Sequence, residues 1–551
     1  MSHSRIIILD IETNLKHDTI WCCVTKDITT GEVNVWTEPK SLRSYLRQGD
    51  QFVGHNIIGF DAPILNRLWN LKIRLSQVSD TLIMSRLLSP SLENGHSLDA
   101  WGKRLGKYKG SFTNFNDGLS DEMIEYCKQD VEVTHCLYTQ LSRDLKDWDQ
   151  RCIDLEHNVA AIISRQERHG FKLDVTKAID LVATWKTKLS EIEENLQSIF
   201  PPIVTERYSE KTGKKLKDHV EVFNPGSRQQ IADRLMSLGW KPEKHTEKGS
   251  VIVDEKVLDG IDIPEARAIS EYLLIQKRVA QVSSWIDAVS DSGRVHGKVI
   301  TNGAVTGRMT HHSPNMAQVP SGSSPWGKEC RECWTVDLDN YLLVGADASG
   351  LELRMLAHYM KDKDYVKEVC EGDIHTKNQN AAGLQTRPQA KTFIYAFLYG
   401  AGPVKIGSVV GGGESEGRKL IKSFLDNTPA LKALRTKIER LAAKGYLPGL
   451  DGRKLQVRSP HAALNTLLQG AGAIVMKQAL VLLNAKIQKE KLDAHFVANV
   501  HDEWQIEVRK EDAETVGRMA GEAIKEAGEV LQLRCPLTGE YRVGKTWAET
   551  H

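Results

Sequence analysis

Residues 5–140 alternate short apolar runs with amphipathic stretches, beginning with RIIILDIET, and this alternation predicts a compact α/β domain. From about 150 to 300 the apolar positions recur at helical spacing. LEHNVAAIISRQERHG and PEARAISEYLLIQKRVAQVSSWIDAV predict helices flanking a loop-like, Lys-rich stretch at 205–250. Two antiparallel helices projecting from a body are the expected result. The remainder mixes strands and helices: YLLVGAD (341–347) predicts a buried strand, 387–399 a helix, and HFVANV with WQIEVR two strands around a tight turn at 501–503. A long helical insertion separates these strands, which predicts a palm-like sheet with a mobile helical subdomain inserted into it.

At 551 residues the chain exceeds what one hydrophobic core sustains, so several domains are expected. The 40% hydrophobic and 26% charged fractions exclude a disordered chain. There is no 18-residue apolar run and no signal-peptide start, so a soluble, cytoplasmic protein without membrane contact is expected. The nine cysteines include one C-x-x-C, Cys330 to Cys333, with no second pair at zinc spacing, and free thiols are expected. The net charge of +1 is uninformative, but residues 417–460 carry eleven Lys/Arg against three Asp/Glu, a footprint suited to phosphates or to a solvated helix face.

Asp10 and Glu12 end the first predicted strand, and their two-residue spacing places both side chains on one face, where they can share a cation. Downstream, Asn56-x-x-x-Phe60-Asp61 supplies another carboxylate. Tyr126 and Asp130 sit four apart in a helical segment, so they face the same way. A single D-x-E on a strand is usually a solvent-facing edge. Four acidic groups with a tyrosine hydroxyl are what two hard divalent ions and an attacking water need for phosphodiester hydrolysis. Together their order and spacing resemble the three motifs of DnaQ-like 3′-to-5′ exonucleases. The resemblance implies an editing site with Asp10, Glu12, Asp61 and Asp130 as metal ligands and Tyr126 positioning the water.

A second cluster follows YLLVGAD. Asp347 stands at that strand's carboxyl end, and His501-Asp502-Glu503 occupies the later turn, so pairing of these strands in one sheet brings Asp347 and Asp502 together. Taken alone, the two aspartates read as a helix N-cap and a turn former. Between them, Arg387, Lys391, Tyr395 and Tyr399 recur every four residues, so two cations and two aromatic rings share one helical face, able to hold a triphosphate and stack a base or sugar. Pro388 fits the first turn and Gly400 the terminus, and Phe393 and Phe397 serve packing on the other side. D-x-S-x-x-E-x-R, R-x-x-x-K-x-x-x-[FY]-x-x-x-Y-G and H-D-E resemble the A, B and C motifs of family A DNA polymerases. Thr306-Gly307-Arg308, Pro314-Asn315-Met316-Ala317-Gln318, Asp373-Ile374-His375, Asn465 to Gln469 and the terminal Trp547 to His551 extend the likeness to that family's phage replicases over essentially the whole chain.

The resemblance implies a multidomain α+β protein. It would comprise an RNase H-like (DnaQ-like) exonuclease domain at 1–148, a helical thumb at 149–300, palm at 301–365 and 461–551, and fingers at 366–460. Asp347 and Asp502 would be the metal ligands with the carbonyl of Ala348, and Glu503 a further catalytic carboxylate. Arg387, Lys391 and His375 would contact the triphosphate, Tyr395 its sugar, and Tyr399 the templating position. Glu352 would crowd the 2′ position. Arg308, Asn315, Gln318, Asn465, Gln469 and His501 would touch primer-template DNA through the minor groove, whose acceptors are common to all correct pairs. Two Mg2+ per active site are implied, with Mn2+ able to substitute. The implied partners are primer-template DNA, dNTPs, a helicase-primase and a single-stranded-DNA-binding protein. No thioredoxin-type processivity factor is expected, because 260–300 holds no long insertion. Because the editing motif starts at residue 10, no preceding 5′ nuclease is expected. An inactive DNA-binding derivative would lack ligand aspartates. A single-subunit RNA polymerase would lack Glu352, the paired tyrosines and the editing domain. A nuclease whose polymerase half only grips DNA remains to be separated by extension assays.

Overall fold

The computed structural model describes residues 5–246 and 248–551. The IIILDIET run is the strand Ile6–Thr13 in the middle of a five-stranded sheet. Ile20–Asp27 and then Val33–Trp36 lie antiparallel on one side, and Gln51–Gly54 and Val78–Asp80 lie parallel on the other. Side chains alternate across the central strand. Ile7, Leu9 and Ile11 enter one core with Leu65 and Trp69 of the helix Asp61–Trp69. Ile8 enters the opposite core with Cys127 and Val131 of the helix Asp121–Asp144. Asp10 and Glu12 share Ile8's face, so the same alternation that buries the strand delivers both carboxylates to that helix.

The helix Gln150–His169 leads out of this domain, and two helices, Val175–Ile199 and Pro264–Asp287, form the projecting pair. Ala178, Val182 and Trp185 near the start of the first share a core with Val282 and Trp285 near the end of the second, while Leu196 meets Ala266 and Ile269, so the pair is antiparallel. The stretch expected to be loop-like is partly folded. It holds a small hairpin, Ile203–Thr205 with His219–Glu221, and a helix, Arg228–Ser237, whose N-cap Ser227 accepts from the Gln230 amide. Ile231, Ala232 and Leu235 of that helix join Phe200, Phe223 and Val253 in a core at the tip of the pair. Its few apolar residues are scattered among lysines and glycines, and only closure of the chain collects them.

The palm-like sheet has the order Ala494–Val500, Glu503–Arg509, Tyr341–Ala348, Gly539–Gly544, antiparallel throughout. Val344, Ala346 and Ala348 face a large core with the helices Ala463–Lys489 and Ala513–Val530, whereas Leu343 faces Phe171, Trp334 and Trp547. Ala463–Lys489 is, among the described residues, the one helix long and apolar enough to cross a membrane, and most of it is buried in this core. Between the two central strands the chain forms the inserted helical body, including Leu351–Met360, Ile374–Ala382, Arg387–Leu398 and Glu414–Asp426. The nine cysteines are all free thiols, and burial pushes Cys330 and Cys333 up to about 12.

Candidate active sites

In the N-terminal domain, Asp10 and Glu12 meet the Asp121–Asp144 helix at Tyr126, Cys127 and Asp130. The Cys127 thiol donates to Asp10 Oδ2 at 3.4 Å. Asp61 opens its helix immediately after a turn in which Asn56 adopts φ 66°, and its carboxylate accepts from the Ile11 amide at 3.1 Å. Asp80 pins that turn by accepting from the Asn56 and Ile58 amides, each at 3.0 Å. Four acidic groups from three elements thus converge. Burial, reinforced by Asp130, pushes Asp10 up to about 7. Burial, reinforced by Asp10 and Asp130, pushes Glu12 up to about 9. Burial also raises Asp61 and, against the opposing charge of Lys109, Asp130. Such a cluster is stable as anions only with cations among them. Ligand atoms of Asp10, Glu12 and Cys127 lie within 4.8 Å of one another, Asp61 and Asp130 act on Asp10 through their charge, and Asp130 Oδ1 is buried without a partner among the described residues, so carboxylate oxygens are available to a cation. Two participants had escaped the sequence reading. Cys127 adjoins Tyr126 on the same helix, and Lys109 comes from a loop with no distinguishing pattern, yet its ammonium lies 2.6 Å from Asp130 Oδ2 and 4.9 Å from the Tyr126 ring centroid.

The second cluster forms by strand pairing. Asp347 lies opposite Glu503 in register, and the Ala348 amide donates to the Asp502 carbonyl at 3.1 Å. His501, with φ 57°, and Asp502 make the two-residue turn that exposes this edge. Asp347 does not cap a helix; Gly350 does so for Leu351–Met360. Among the described residues neither aspartate's carboxylate has an ion-pair partner, and burial raises both; Glu540, Asp502 and Glu503 add to Asp347 against His551, and Glu352 adds to Asp502 against Arg308. Both are therefore free to take hard cations. Glu503 is held differently. It accepts from Gln505 Nε2 at 2.7 Å and from the Trp547 indole, and it pairs with His551 Nδ1 at 3.0 Å. Burial pushes its carboxyl upward, but His551, Arg331 and Trp547 together hold it below the usual range. The chain's last residues thereby reach the back of the turn carrying Asp502.

The Arg387–Leu398 helix begins at Thr386, whose side chain accepts from the Gln389 amide in a capping box, with Pro388 in the first turn. It ends at Tyr399, followed by Gly400 at φ 75°. Ala390, Phe393, Ile394 and Phe397 are buried, with Phe393 and Phe397 edge-on to Phe424 behind. Arg387 and Lys391 are exposed on the front, and the Tyr395 and Tyr399 rings lie 6.3 Å apart. Arg387 Nε donates to Asp373 Oδ2 at 2.7 Å, which joins this helix to the N-cap of Ile374–Ala382. His375, one residue beyond the start of that helix, has a buried Nδ1 without a partner; burial, then Arg387 and Lys391, lowers its pKa. Glu352 closes the arrangement by accepting from Tyr399 Oη at 3.0 Å and from Arg308 Nη2 at 3.3 Å.

The remaining expected DNA contacts are spread around this edge. His501 and Gln318 are exposed. The Asn315 side chain caps its own turn by accepting from the Ala317 amide, and its Nδ2 has no partner among the described residues. Asn465 and Gln469 are one helical turn apart on Ala463–Lys489, both half-buried, and Asn465 Oδ1 has no partner. The basic stretch at 417–460 divides: Arg453 is buried against Asp451 and Glu156, Lys422 and Lys432 pair with Asp426, and Arg418 pairs with Glu414. Less of it faces solvent uncommitted than its composition implied.

Two carboxylate clusters, one on an RNase H-like sheet and one on a palm-like sheet faced by a basic and aromatic helix, define a nucleotidyl-transfer enzyme joined to a nuclease domain. Residues 202–549 match the profile of DNA polymerase family A, and residues 40–146 match that of a 3′-5′ exonuclease. The chain is 35% identical over 707 aligned positions to the DNA-directed DNA polymerase of Enterobacteria phage T3, covering 99% of this chain and 100% of that protein; the Escherichia phage T7 enzyme gives the same figures. DNA polymerase I of Bacillus subtilis is 26% identical over 78% of this chain and 49% of its own. A solved structure titled the POL domain of Pol1 from M. smegmatis in complex with DNA primer-template and dNTP superposes with a TM-score of 0.82 at 18% identity, covering 100% of this chain and 97% of that one, a likeness of fold. The chain belongs to the family A DNA polymerases; it is a DNA-directed DNA polymerase with a 3′-5′ exonuclease domain, similar to phage enzymes. The 707-position alignments exceed this chain's 551 residues, so the phage relatives contain segments without a counterpart here.

Proposed function

We propose that the protein extends a primer 3′ end on a DNA template with deoxynucleotides by a two-metal mechanism and edits that end in its N-terminal domain, in phage genome replication in the host cytoplasm. The observation that carries the reading is the meeting of Asp347 and Asp502 at one sheet edge, without an ion-pair partner among the described residues, beside Glu352, which binds Tyr399 of the helix that carries Arg387, Lys391 and Tyr395. Asp347, Asp502 and the Ala348 carbonyl would hold two Mg2+, or Mn2+, and Asp10, Glu12, Asp61 and Asp130 would hold two more. When bound, these ions supply charge stabilisation at the reacting phosphate and activate the attacking oxygen. Arg387, Lys391 and His375 take the triphosphate oxygens as donors. Tyr395 lies against the sugar, and Glu352, fixed by Tyr399 and Arg308, fills the space a 2′-hydroxyl needs. Tyr399 stacks at the templating position. Arg308, Asn315, Gln318, Asn465, Gln469 and His501 line the duplex, Glu503 positions the Asp502 turn, and Tyr126 orients the hydrolytic water. Similarity to the phage enzymes supports a replicative role.

A mismatched primer terminus incubated with and without dNTPs tests both sites together. The wild type degrades the end without dNTPs and extends after trimming with them. Asp347→Ala and Asp502→Ala each abolish extension, and Asp10→Ala with Glu12→Ala abolishes trimming while leaving extension of matched ends. Unchanged extension in either palm variant refutes the polymerase assignment of these residues, and continued trimming by the double variant refutes that of the first cluster.

A further inference from the structure

A cavity of about 480 Å³ opens between the N-terminal domain and the palm segment 300–303. Its lining includes His55, Arg86, His96, Lys109 and Asn302 and contains no carboxylate. Arg86 makes no side-chain hydrogen bond or ion pair among the described residues, although its carbonyl accepts from Asn302 Nδ2 at 2.9 Å and so ties the two walls together. A guanidinium without a direct partner, with Asp80 and Glu167 acting on it only at longer range, suits phosphate oxygens. Lys109 is the residue that both lines this cavity and touches the carboxylate cluster, where it lies 2.6 Å from Asp130 Oδ2 while Asp130 Oδ1 stays unpartnered. The backbone leading into it is anchored twice: the Lys107 amide donates to the Gly102 carbonyl at 2.9 Å, and Gln129 Nε2 donates to the Tyr108 carbonyl at 2.7 Å. A four-carbon stem on a fixed loop lets the ammonium change partners without movement of the main chain.

We propose that Lys109 is a tethered counter-ion that closes the exonuclease cluster until a single strand arrives. In the DNA-free protein it holds Asp130. When a phosphodiester of the strand enters the cavity beside Arg86, the ammonium transfers to it and leaves both Asp130 oxygens to the divalent cation. Lys109 is thus a positioning residue that makes metal loading follow substrate entry, which spares an idle nuclease site from hydrolysing whatever reaches it. The inference rests on the exonuclease reading above.

The test is Mn2+ binding, followed by electron paramagnetic resonance of the free ion, in full-length protein carrying Asp347→Asn and Asp502→Asn to weaken the palm site. Without DNA, adding Lys109→Met tightens binding at the remaining site roughly tenfold or more, the scale of one charge-assisted contact removed. Lys109→Arg, which keeps the charge, stays near the parent. An oligothymidylate with a phosphorothioate terminal linkage tightens binding in the parent and changes Lys109→Met little. Unchanged or weaker binding in Lys109→Met, or equal tightening in Lys109→Arg, overturns the proposal. Asp10→Asn with Glu12→Gln is the separate check on the site: if it removes no Mn2+, the exonuclease reading fails and the latch with it, whereas loss of that ion with no effect of Lys109→Met overturns the latch alone.

Discussion

Glu352 stands in the first turn of Leu351–Met360, where its carboxylate holds Tyr399 from the inserted body and Arg308 from the palm. One anion thereby fixes an aromatic wall and a cation on opposite sides of the space assigned to the sugar. Glu352→Ala removes the bulk and both hydrogen bonds. Ribonucleotide acceptance, measured as the ratio of kcat/KM for rNTP to that for dNTP, is expected to rise by about 10- to 100-fold, with a fall in kcat/KM for dNTP as Tyr399 and Arg308 lose their common partner. Tyr399→Phe removes one bond and keeps the carboxylate, so its ratio stays within a few-fold of wild type. A large rise in Tyr399→Phe as well would mean that the hydrogen bond, rather than the carboxylate, excludes the 2′-hydroxyl.

At the scale of elements, the helix Gln150–His169 carries the junction. Glu156, fully buried, accepts Lys477 of Ala463–Lys489 at 2.6 Å and Arg453 at 2.6 Å, and Arg453 is also bidentate with Asp451. Lys477 thus depends on Glu156 alone among the described residues, whereas Arg453 shares Glu156 and Asp451. Glu156→Gln leaves the two cations facing each other and is expected to cost about 3–5 kcal/mol, read as a lower urea midpoint, whereas Lys477→Met leaves the Glu156–Arg453 pair intact and is expected to stay within about 1 kcal/mol of wild type. Burial lowers Lys477 to about 8 against an ordinary 10.5, although Glu156 opposes the shift. Between these values the unfolded chain binds the proton and the folded one does not, so this group makes stability rise with pH across that window. Lys477→Met is expected to flatten that rise, and an unchanged slope would show that Lys477 titrates normally.

Across the whole molecule the two chemistries share a mechanical support. His157, next to Glu156, accepts from the Asp80 amide at 2.8 Å, and the Asp80 carboxylate fixes the turn that presents Asp61. Ser164 reaches the Ile58 carbonyl, and Gln456 and Arg458 reach Ser89 and Ser91. The N-terminal domain is thus docked through the same helix that braces the palm core. His157→Ala leaves a buried amide unsatisfied, at about 1–3 kcal/mol. It is expected to slow trimming of single-stranded ends several-fold while matched-primer extension is unchanged. Equal losses in both assays would place the effect in global stability.

The sequence by itself determined the elements and most of the chemistry they carry. Alternation in IIILDIET placed Asp10 with Glu12, four-residue spacing placed Arg387 with Tyr399, and the short turn at 501–503 placed Asp502 at a strand end, because these relations are local and follow from strand and helix periods. What only the tertiary structure decided are the relations between residues far apart in the chain. Lys109 on Asp130, Glu352 between Tyr399 and Arg308, His551 on Glu503 and the Glu156 cluster join segments that no period connects, and the core at 200–272 appears only once the chain closes on itself. Charge divides along the same line: of the eleven basic residues at 417–460, Arg418 and Lys422 pair with Glu414 and Asp426 one helical turn away, a local relation, whereas Arg453 is buried against Glu156, which only folding brings near.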